Sequence, residues 1–174
     1  MRKINDKTDP VLRQKARAIA PKDIKGTRVR VLIRDMRKLL AKEPYGVALA
    51  APQVGESVRL FIVAGKALAK REEALAETKV KIPRDQVYIN PVLKKVSRGK
   101  KEKHEGCLSV RGLWGDVPRA EKATIEAYDE RGKKFTRGAS GFLAHIFQHE
   151  MDHLEGILYT DKVVKLYEEE KQEG

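Results

Sequence analysis

The stretch GFLAHIFQHEMDHLEG, residues 141–156, predicts one long helix around which the rest of the chain is organised. Ser140 stands directly before it, and a serine hydroxyl can accept a hydrogen bond from the free N–H groups of a first helical turn. Gly156 stands at its end, where glycine permits the left-handed conformation that often terminates a helix. We therefore expect an α+β fold in which antiparallel β-sheets pack around this central C-terminal helix, with further helices near the N-terminus.

Within this helix, His149-Glu150-Met151-Asp152-His153 predicts a hydrolytic metal site. Residues four positions apart lie on the same face of a helix, so the two imidazoles can bind one ion. The glutamate between them can reach a water molecule that the metal activates. The alternative interpretation, two ordinary polar histidines of a helix, is weakened because the surrounding residues also fit a metal site.

A catalytic ion of this kind usually has three protein ligands, so the chain must supply a third ligand elsewhere. His145 is excluded because it lies about 12 Å from His153 along the helix axis. The HExxHxxG pattern resembles the metzincin proteases, but Tyr159 stands where these need a histidine. Three candidates stay open: Glu168, His104 and Cys107. The first lies in a charged run typical of a solvated tail, the second in the polar segment KEKHEG, and the third is the only thiol.

Ahead of this helix, the pattern predicts two N-terminal helices. Asp9 followed by Pro10 begins a short helix over VLRQKARAI. A second helix runs from Thr27 to about Glu43, where Pro44 stops it, because apolar residues recur at spacings of three and four. These residues are Val29, Leu32, Ile33, Met36, Leu39 and Leu40.

Short runs rich in branched and aromatic residues predict strands at VRLFIVA, VYIN, VLKKVS, KEKHEG and ATIEAYDE. Turns are expected at Asn90-Pro91, Arg98-Gly99 and Arg131-Gly132. The charged segment from Gly65 to Asp85 predicts a surface insertion, and YEEEKQEG, residues 167–174, predicts a charged tail.

Length, cysteine content and charge restrict the class of protein. We expect residues 1–174 to form one domain with its own core. A single cysteine, no signal-type apolar segment and no run of 18 apolar residues favour a cytoplasmic protein that does not enter a membrane. The net charge of +12 attracts polyanions such as RNA or ribosome surfaces. Because no nucleic-acid motif is found, we expect no DNA binding.

Three motifs together resemble those of the peptide deformylase family. They are GVALAAPQVG at residues 46–55, EGCLS at 105–109 and QHEMDHLEG at 148–156, in the family's order and at about its separations. The similarity continues through the N-terminal helices and VPRAEKATIEAYDERGKKF, and it is weakest over residues 65–85. The resemblance implies a hydrolase that removes the N-formyl group from the N-terminal methionine of nascent polypeptides and releases formate.

Position by position, the resemblance implies that Cys107, His149 and His153 bind the metal. It implies one Fe²⁺ per chain, with Zn²⁺, Ni²⁺ or Co²⁺ able to substitute. Glu150 is implied to act as general base and then general acid while an activated water attacks the formyl carbon. The implied partners are N-formylmethionyl nascent peptides, with a transient ribosome contact.

The remaining site residues implied by the resemblance hold the substrate. Gln53, by its side-chain amide, and Leu108, by its backbone N–H, are expected to stabilise the carbonyl oxygen as it becomes negative. The residues expected beside the substrate are Gly46, Val47, Ala48 and His145. With His145, Phe142 and Ile146 are candidates for the wall of a methionine pocket, although core packing explains the last two equally well.

Three residues depart from the family's pattern or lie where it varies. Ala48 replaces the second glycine of the usual GxGLAA, which places a methyl group where the substrate backbone approaches. Arg111 stands where proline is common. Trp114 lies in a variable part, and it either stacks on a nascent chain or covers core surface.

Two other functions stay open at this point. A small metalloprotease built on the HEMDH helix would use a third ligand other than Cys107. A relative that binds ribosomes or formylated chains without turnover is suggested by Ala48 and the basic surface. A non-catalytic relative is not favoured, because the chain retains Gln53, Cys107, Glu150 and both helix histidines.

Overall fold

The computed structural model describes residues 2–69 and 82–168, and in these ranges the chain combines helices with antiparallel strands. The α-helices are α1 (Thr27–Ala41), α2 (Gly65–Leu68) and α3 (Gly141–Leu154). The strands are β1 (Ala48–Ala50), β2 (Leu60–Val63), β3 (Gln86–Val96), β4 (Lys100–Cys107), β5 (Val110–Ala120), β6 (Lys122–Tyr128), β7 (Lys134–Ser140) and β8 (Lys165–Glu168). Short 3₁₀ turns lie at Pro10–Arg13, Pro21–Asp23, Ala51–Val54 and Tyr159–Asp161.

The strands form two sheets, and both of them contact α3. The five-stranded sheet has the order β1-β2-β3-β6-β7 and the three-stranded sheet the order β4-β5-β8, with every neighbouring pair antiparallel. Helix α3 contacts strands of both sheets. The expected α+β fold with a central C-terminal helix is therefore confirmed. None of the helices in residues 2–69 and 82–168 combines the length and hydrophobicity that a bilayer span requires.

An aromatic cluster anchors α3 against the five-stranded sheet. The ring of Phe147 is fully buried and lies 5.2 Å from that of Tyr88 and 6.4 Å from that of Phe61, centroid to centroid. Phe61 on β2 and Tyr88 on β3 stack on each other at 4.7 Å. Such contacts stabilise the pairs beyond the apolar area that they bury. The helix that carries the two histidines is thus held by its own hydrophobic face.

The two N-terminal helix predictions have different outcomes. Helix α1 begins at Thr27 as expected and buries the predicted stripe, with Leu39 partly buried. The helix expected after Asp9 is a 3₁₀ turn that ends at Arg13, so the prediction of its length is wrong. The chain leaves the helical conformation because the Ala16 N–H donates to the carbonyl of Leu154, at the end of α3.

The strand predictions fail where local signals mislead. VYIN and VLKKVS form one strand, β3, and the turn expected at Asn90-Pro91 is a register shift within it. Asn90 adopts φ 49° there, and its amide exchanges two hydrogen bonds with the backbone of Ile19. The turn at Arg131-Gly132 is confirmed between β6 and β7. Strand β5 was not expected, because its glycines and Pro118 are unfavourable in strands.

The predicted insertion and tail lie largely outside the described residues. Of the segment 65–85, the structure describes residues 65–69 and 82–85, which include α2. Of the tail 167–174, it describes Tyr167 and Glu168, which belong to β8 and pair with β5. The tail prediction is therefore wrong for these two residues, since they pair with a strand.

We expect Phe147→Ala to lower the free energy of unfolding by about 3–5 kcal/mol, because it removes a fully buried ring and leaves a cavity beside Tyr88 and Phe61. Phe142→Ala is the matched control on the same helix. Its ring is 57% exposed, so a change of about 0.5 kcal/mol or less is expected. Urea denaturation followed by circular dichroism measures both, and equal losses would contradict the proposed anchor.

Candidate metal centre

Three ligand-type side chains from two distant elements converge in the structure. Cys107 ends β4, while His149 and His153 lie one turn apart on α3. One ligand atom from each lies within 4.8 Å of the other two. Cys107 Sγ is 3.3 Å from His153 Nε2, and the two imidazole centroids are 5.0 Å apart. A thiolate with two imidazoles is a donor set that divalent transition metals such as zinc bind.

The structure places the other third-ligand candidates away from this cluster. His104 lies on the exposed face of β4, where its Nδ1 is 3.0 Å from Asp116 Oδ1. Glu168 pairs with Leu113 at the end of β8. Tyr159, at the position where a metzincin has a histidine, donates its hydroxyl to the carbonyl of Leu113. Nothing in the described residues favours the metalloprotease alternative.

The surroundings of Cys107 favour its metal-binding form. Burial raises the pKa of the Cys107 thiol, but the charge of His153 and hydrogen bonds from both imidazoles outweigh it and lower the pKa to about 5. The thiolate is the form of cysteine that binds metals. The donor set therefore fits a divalent ion near neutral pH.

A buried glutamate orients one of the imidazoles. His149 Nδ1 is 2.7 Å from Glu105 Oε2, and a histidine that donates Nδ1–H to a carboxylate keeps Nε2 free for a metal. Glu105 Oε1 is 2.9 Å from His145 Nε2. Burial raises the pKa of Glu105, but hydrogen bonds from His145, His149 and Arg119 hold it well below its usual range. Glu105 is therefore a carboxylate, although it is almost fully buried.

Arg119 completes this network and connects it to the next turn of α3. Its Nε and Nη2 donate to the two oxygens of Glu105 at 2.6 and 3.1 Å, and its Nη1 donates to Asp152 at 2.6 Å. Asp152 also accepts from Lys162 Nζ at 2.6 Å. The sequence alone predicts no role for Glu105 or Arg119. Their only signal was a position inside the motif EGCLS and the stretch VPRAEK.

The residues expected to take part in the chemistry lie beside the three ligand-type side chains. Glu150 is buried, and its Oε2 has no hydrogen-bond partner among the described residues. Burial raises its pKa above the usual carboxyl value, although His149 and His153 oppose the shift. Gln53 accepts at Oε1 from the Ala50 N–H, at 2.9 Å. Its Nε2 donates to Ser109 Oγ at 3.2 Å and lies 3.5 Å from Cys107 Sγ.

A cavity of about 450 Å³ opens beside the cluster. Its lining includes residues from all three motifs, together with His145 and Ile146 from the turn of α3 before the third motif. The motif residues are Gly46, Val47, Ala48, Gln53, Glu105, Gly106, Cys107, Leu108, His149 and Glu150. Phe142 also lines it and is more than half exposed, so core packing does not explain that residue, whereas Ile146 belongs to the core as well. The volume falls in the range of small-ligand sites. The structure thus brings the expected substrate-side residues together at one cavity.

Comparison with known proteins points to one family. The family model described as polypeptide deformylase matches residues 1–169. Peptide deformylase 1A of Arabidopsis thaliana, described as chloroplastic/mitochondrial, is 42% identical over 160 residues, which are 90% of this chain and 59% of that protein. The peptide deformylase of Thermus thermophilus is 40% identical over 158 residues, which are 90% of this chain and 79% of that protein.

Solved structures agree with the sequence matches. A Synechococcus elongatus peptide deformylase in complex with actinonin has a TM-score of 0.78 and 32% identity, covering 94% of this chain and 79% of that one. A class I type b peptide deformylase from Acinetobacter baumannii with Met-Ala-Ser bound has a TM-score of 0.80 and 28% identity, covering 92% and 97%.

We expect Cys107→Ser to lower metal affinity by more than about 100-fold, because it removes the only sulfur of the cluster. Loss of a residue that only hydrogen-bonds to a ligand lowers affinity by up to about 100-fold, and loss of a ligand should cost more. His104→Ala is the control, and it should retain full affinity. Competition with a chromophoric chelator for Zn²⁺ or Co²⁺ measures both variants. Unchanged metal affinity in Cys107→Ser would mean that Cys107 is not the third ligand, and His104 and Glu168 would have to be tested in its place.

Glu105→Gln should lower metal affinity by about 10- to 100-fold, since an amide holds the His149 N–H less strongly and does not neutralise Arg119. The control is Glu121→Gln, which removes an exposed carboxylate paired with Lys101. The same chelator competition applies. If both variants bind the metal as tightly as the unsubstituted protein, Glu105 does not orient a ligand.

Proposed function

This chain belongs to the polypeptide deformylase family, and from that premise we propose that it removes the formyl group from the N-terminal methionine of nascent polypeptides. The products are formate and a free amine. The observation that carries the proposal is the meeting of Cys107, His149 and His153 beside Glu150, at the edge of a cavity of small-ligand size. A hydrolytic reaction needs all three of these parts.

The proposed metal ligands are Cys107 Sγ and the Nε2 atoms of His149 and His153. We propose Fe²⁺ as the ion in the cell, one per chain, with Zn²⁺, Ni²⁺ or Co²⁺ as substitutes on the same ligands. When bound, such an ion would act as a Lewis acid and lower the pKa of water toward neutral pH. Glu105 keeps the His149 ring in the orientation that this set requires.

Glu150 is the proposed proton carrier. It takes a proton from the water that attacks the formyl carbon, and it then gives that proton to the departing amine. Its Oε2 supports this role: it has no hydrogen-bond donor in residues 2–69 and 82–168, so this buried carboxylate oxygen is available to accept the proton. Its raised pKa supports the second half, because an acid is a better proton donor near the operating pH when its pKa approaches that pH.

Gln53 and Leu108 are proposed to stabilise the carbonyl oxygen as it becomes negative. The Ala50 N–H holds the Gln53 carbonyl oxygen, so the amide group is directed to the sulfur side of the site without further rearrangement. Leu108 follows Cys107 in the two-residue turn between β4 and β5, and it lines the same cavity. Donors fixed in advance lower the barrier because they need no reorganisation during the reaction.

The cavity walls support a methionine side chain as the group that is bound. Val47, Val110 and Ile146 contribute apolar surface, which suits an unbranched thioether. His145 lines the cavity while Glu105 satisfies its Nε2. Gly46 and Ala48 are proposed to lie along the substrate backbone. A formyl carbon carries only hydrogen on its far side, so a narrow site can admit it and reject bulkier carbonyls.

We place the reaction in the cytoplasm, on peptides that emerge from the ribosome. The net charge of +12 favours transient contact with ribosomal RNA. The A. thaliana relative is named for the chloroplast and mitochondrion, organelles that also synthesise protein.

Glu150→Ala should slow formate release from formyl-Met-Ala-Ser by about 10²- to 10⁴-fold, because the proton carrier is lost while the three metal ligands remain. The assay uses protein purified anaerobically with Fe²⁺, or loaded with Ni²⁺. Glu130→Gln, which removes an exposed carboxylate paired with Arg37, is the control and should keep its rate. Equal rates in Glu150→Ala and in the unsubstituted protein, at equal metal content, would overturn the assigned role.

A further inference from the structure

The exposed face of the three-stranded sheet carries an aromatic strip that the proposed reaction does not use. Trp114 on β5 pairs with Tyr167 on β8, and His104 on β4 pairs with Asp116, the next residue on the same face of β5. On the opposite face, Glu105 on β4 and Gly115, Val117 and Arg119 on β5 are buried. The strip therefore lies on the solvent side of the sheet.

Side-chain contacts fix the geometry of this strip. The rings of His104 and Trp114 are parallel within 5° at a centroid distance of 5.5 Å. Tyr167 meets the imidazole edge-on at 5.3 Å. Asp116 holds the other two side chains, because its Oδ1 bonds His104 Nδ1 at 3.0 Å and its Oδ2 accepts from the Tyr167 hydroxyl. Trp114 is thus supported by a preorganised neighbour on one side.

A glycine lets the indole lie against the metal-ligand strand. A Cβ atom at Gly106 would fall 2.7 Å from the Trp114 ring, closer than real contacts allow. The indole therefore covers the backbone of the residue directly before Cys107. Gly106 directly precedes Cys107, and neighbouring Cα atoms are about 3.8 Å apart. The indole therefore lies over the residue next to the proposed metal ligand. Gly106, Cys107 and Trp114 line the same cavity, which makes the strip continuous with it.

Trp114 is 38% exposed, so part of the indole is open to solvent beside the cavity. An extended peptide spans about 3.3 Å per residue. If its N-terminal methionine lies beside Cys107 Sγ, the next one or two residues are close enough to contact the indole. We propose that Trp114, backed by His104, is a specificity-determining residue that stacks on an aromatic side chain in one of the two residues after the methionine. The proposal rests on the function proposed above, since it assumes a methionyl peptide in the cavity.

Kinetics with three tripeptides test the preference. Formyl-Met-Phe-Ser and formyl-Met-Ser-Phe place the aromatic ring at either position, and formyl-Met-Ala-Ser has none. The better aromatic substrate should lose about two- to tenfold in kcat/KM in Trp114→Ala, the range that an aromatic pair contributes, and formyl-Met-Ala-Ser should lose less. Trp114→Phe should restore most of the preference. Leu166→Ala, an exposed apolar residue of β8, should leave it unchanged. Equal losses on all three peptides would overturn the proposal.

Fluorescence gives a readout that does not need turnover, because Trp114 is the only tryptophan of the chain. Titration of the unsubstituted protein with Met-Phe-Ser and Met-Ser-Phe should quench or shift its emission saturably, and Met-Ala-Ser should do so less. Absence of formate release from every formylated peptide would defeat the proposed function alone, and the titration would then decide the stacking proposal. The same titration is repeated with oligouridine, a single-stranded RNA that could stack on the indole instead of a peptide. If no peptide changes the emission, or if only oligouridine does, the stacking proposal is overturned.

Discussion

A buried ion pair between Arg119 and Glu105 fixes how the three-stranded sheet meets helix α3. Removing two charges from water costs several kcal/mol per ion, so such a pair persists only where its hydrogen-bonding groups are satisfied. That condition is met here, because Glu105 also bonds His145 and His149 and Arg119 also bonds Asp152. One carboxylate and one guanidinium thereby connect β4, β5 and two turns of α3. The arrangement specifies one relation of sheet to helix, since any shift leaves a buried charge without a partner.

The geometry of the three proposed metal ligands depends on that relation. Cys107 follows Glu105 by two residues on β4, and His149 is held by Glu105 across the interface. The sulfur and this imidazole are therefore positioned by the same strand, while Phe147 anchors the helix from the side of the five-stranded sheet. Ligands held by rigid elements on both sides need little rearrangement to close on an ion, which is the condition for a precise metal site.

The residues that depart from the family's pattern, or lie where it varies, all line the cavity, and none is a proposed metal ligand. Ala48 lies on the buried strand β1, and Arg111 makes a two-point ion pair with Glu43, at 2.7 and 3.3 Å, across the cavity rim. Trp114 covers Gly106 on the same side. These positions change the shape and polarity of the wall that a substrate meets. The thiol, the two imidazoles and Glu150 stand as the motifs predict, so the three positions alter the cavity wall and not the proposed metal ligands or proton carrier.

The sequence by itself determined the elements whose signal is local. The stripe of α1 and the helix with HEMDH follow from spacings within a few residues, and the strand in VRLFIVA follows from its branched and aromatic residues. The three motifs pointed to Cys107 by resemblance. Tertiary structure alone decided the rest. That Cys107 and not His104 meets the histidines, that Asn90 bends one strand where a turn was expected, and that Glu105 bonds Arg119 all depend on pairing between residues far apart in the chain. Packing and register set those contacts, and neither leaves a period or a spacing in the sequence from which it could be predicted.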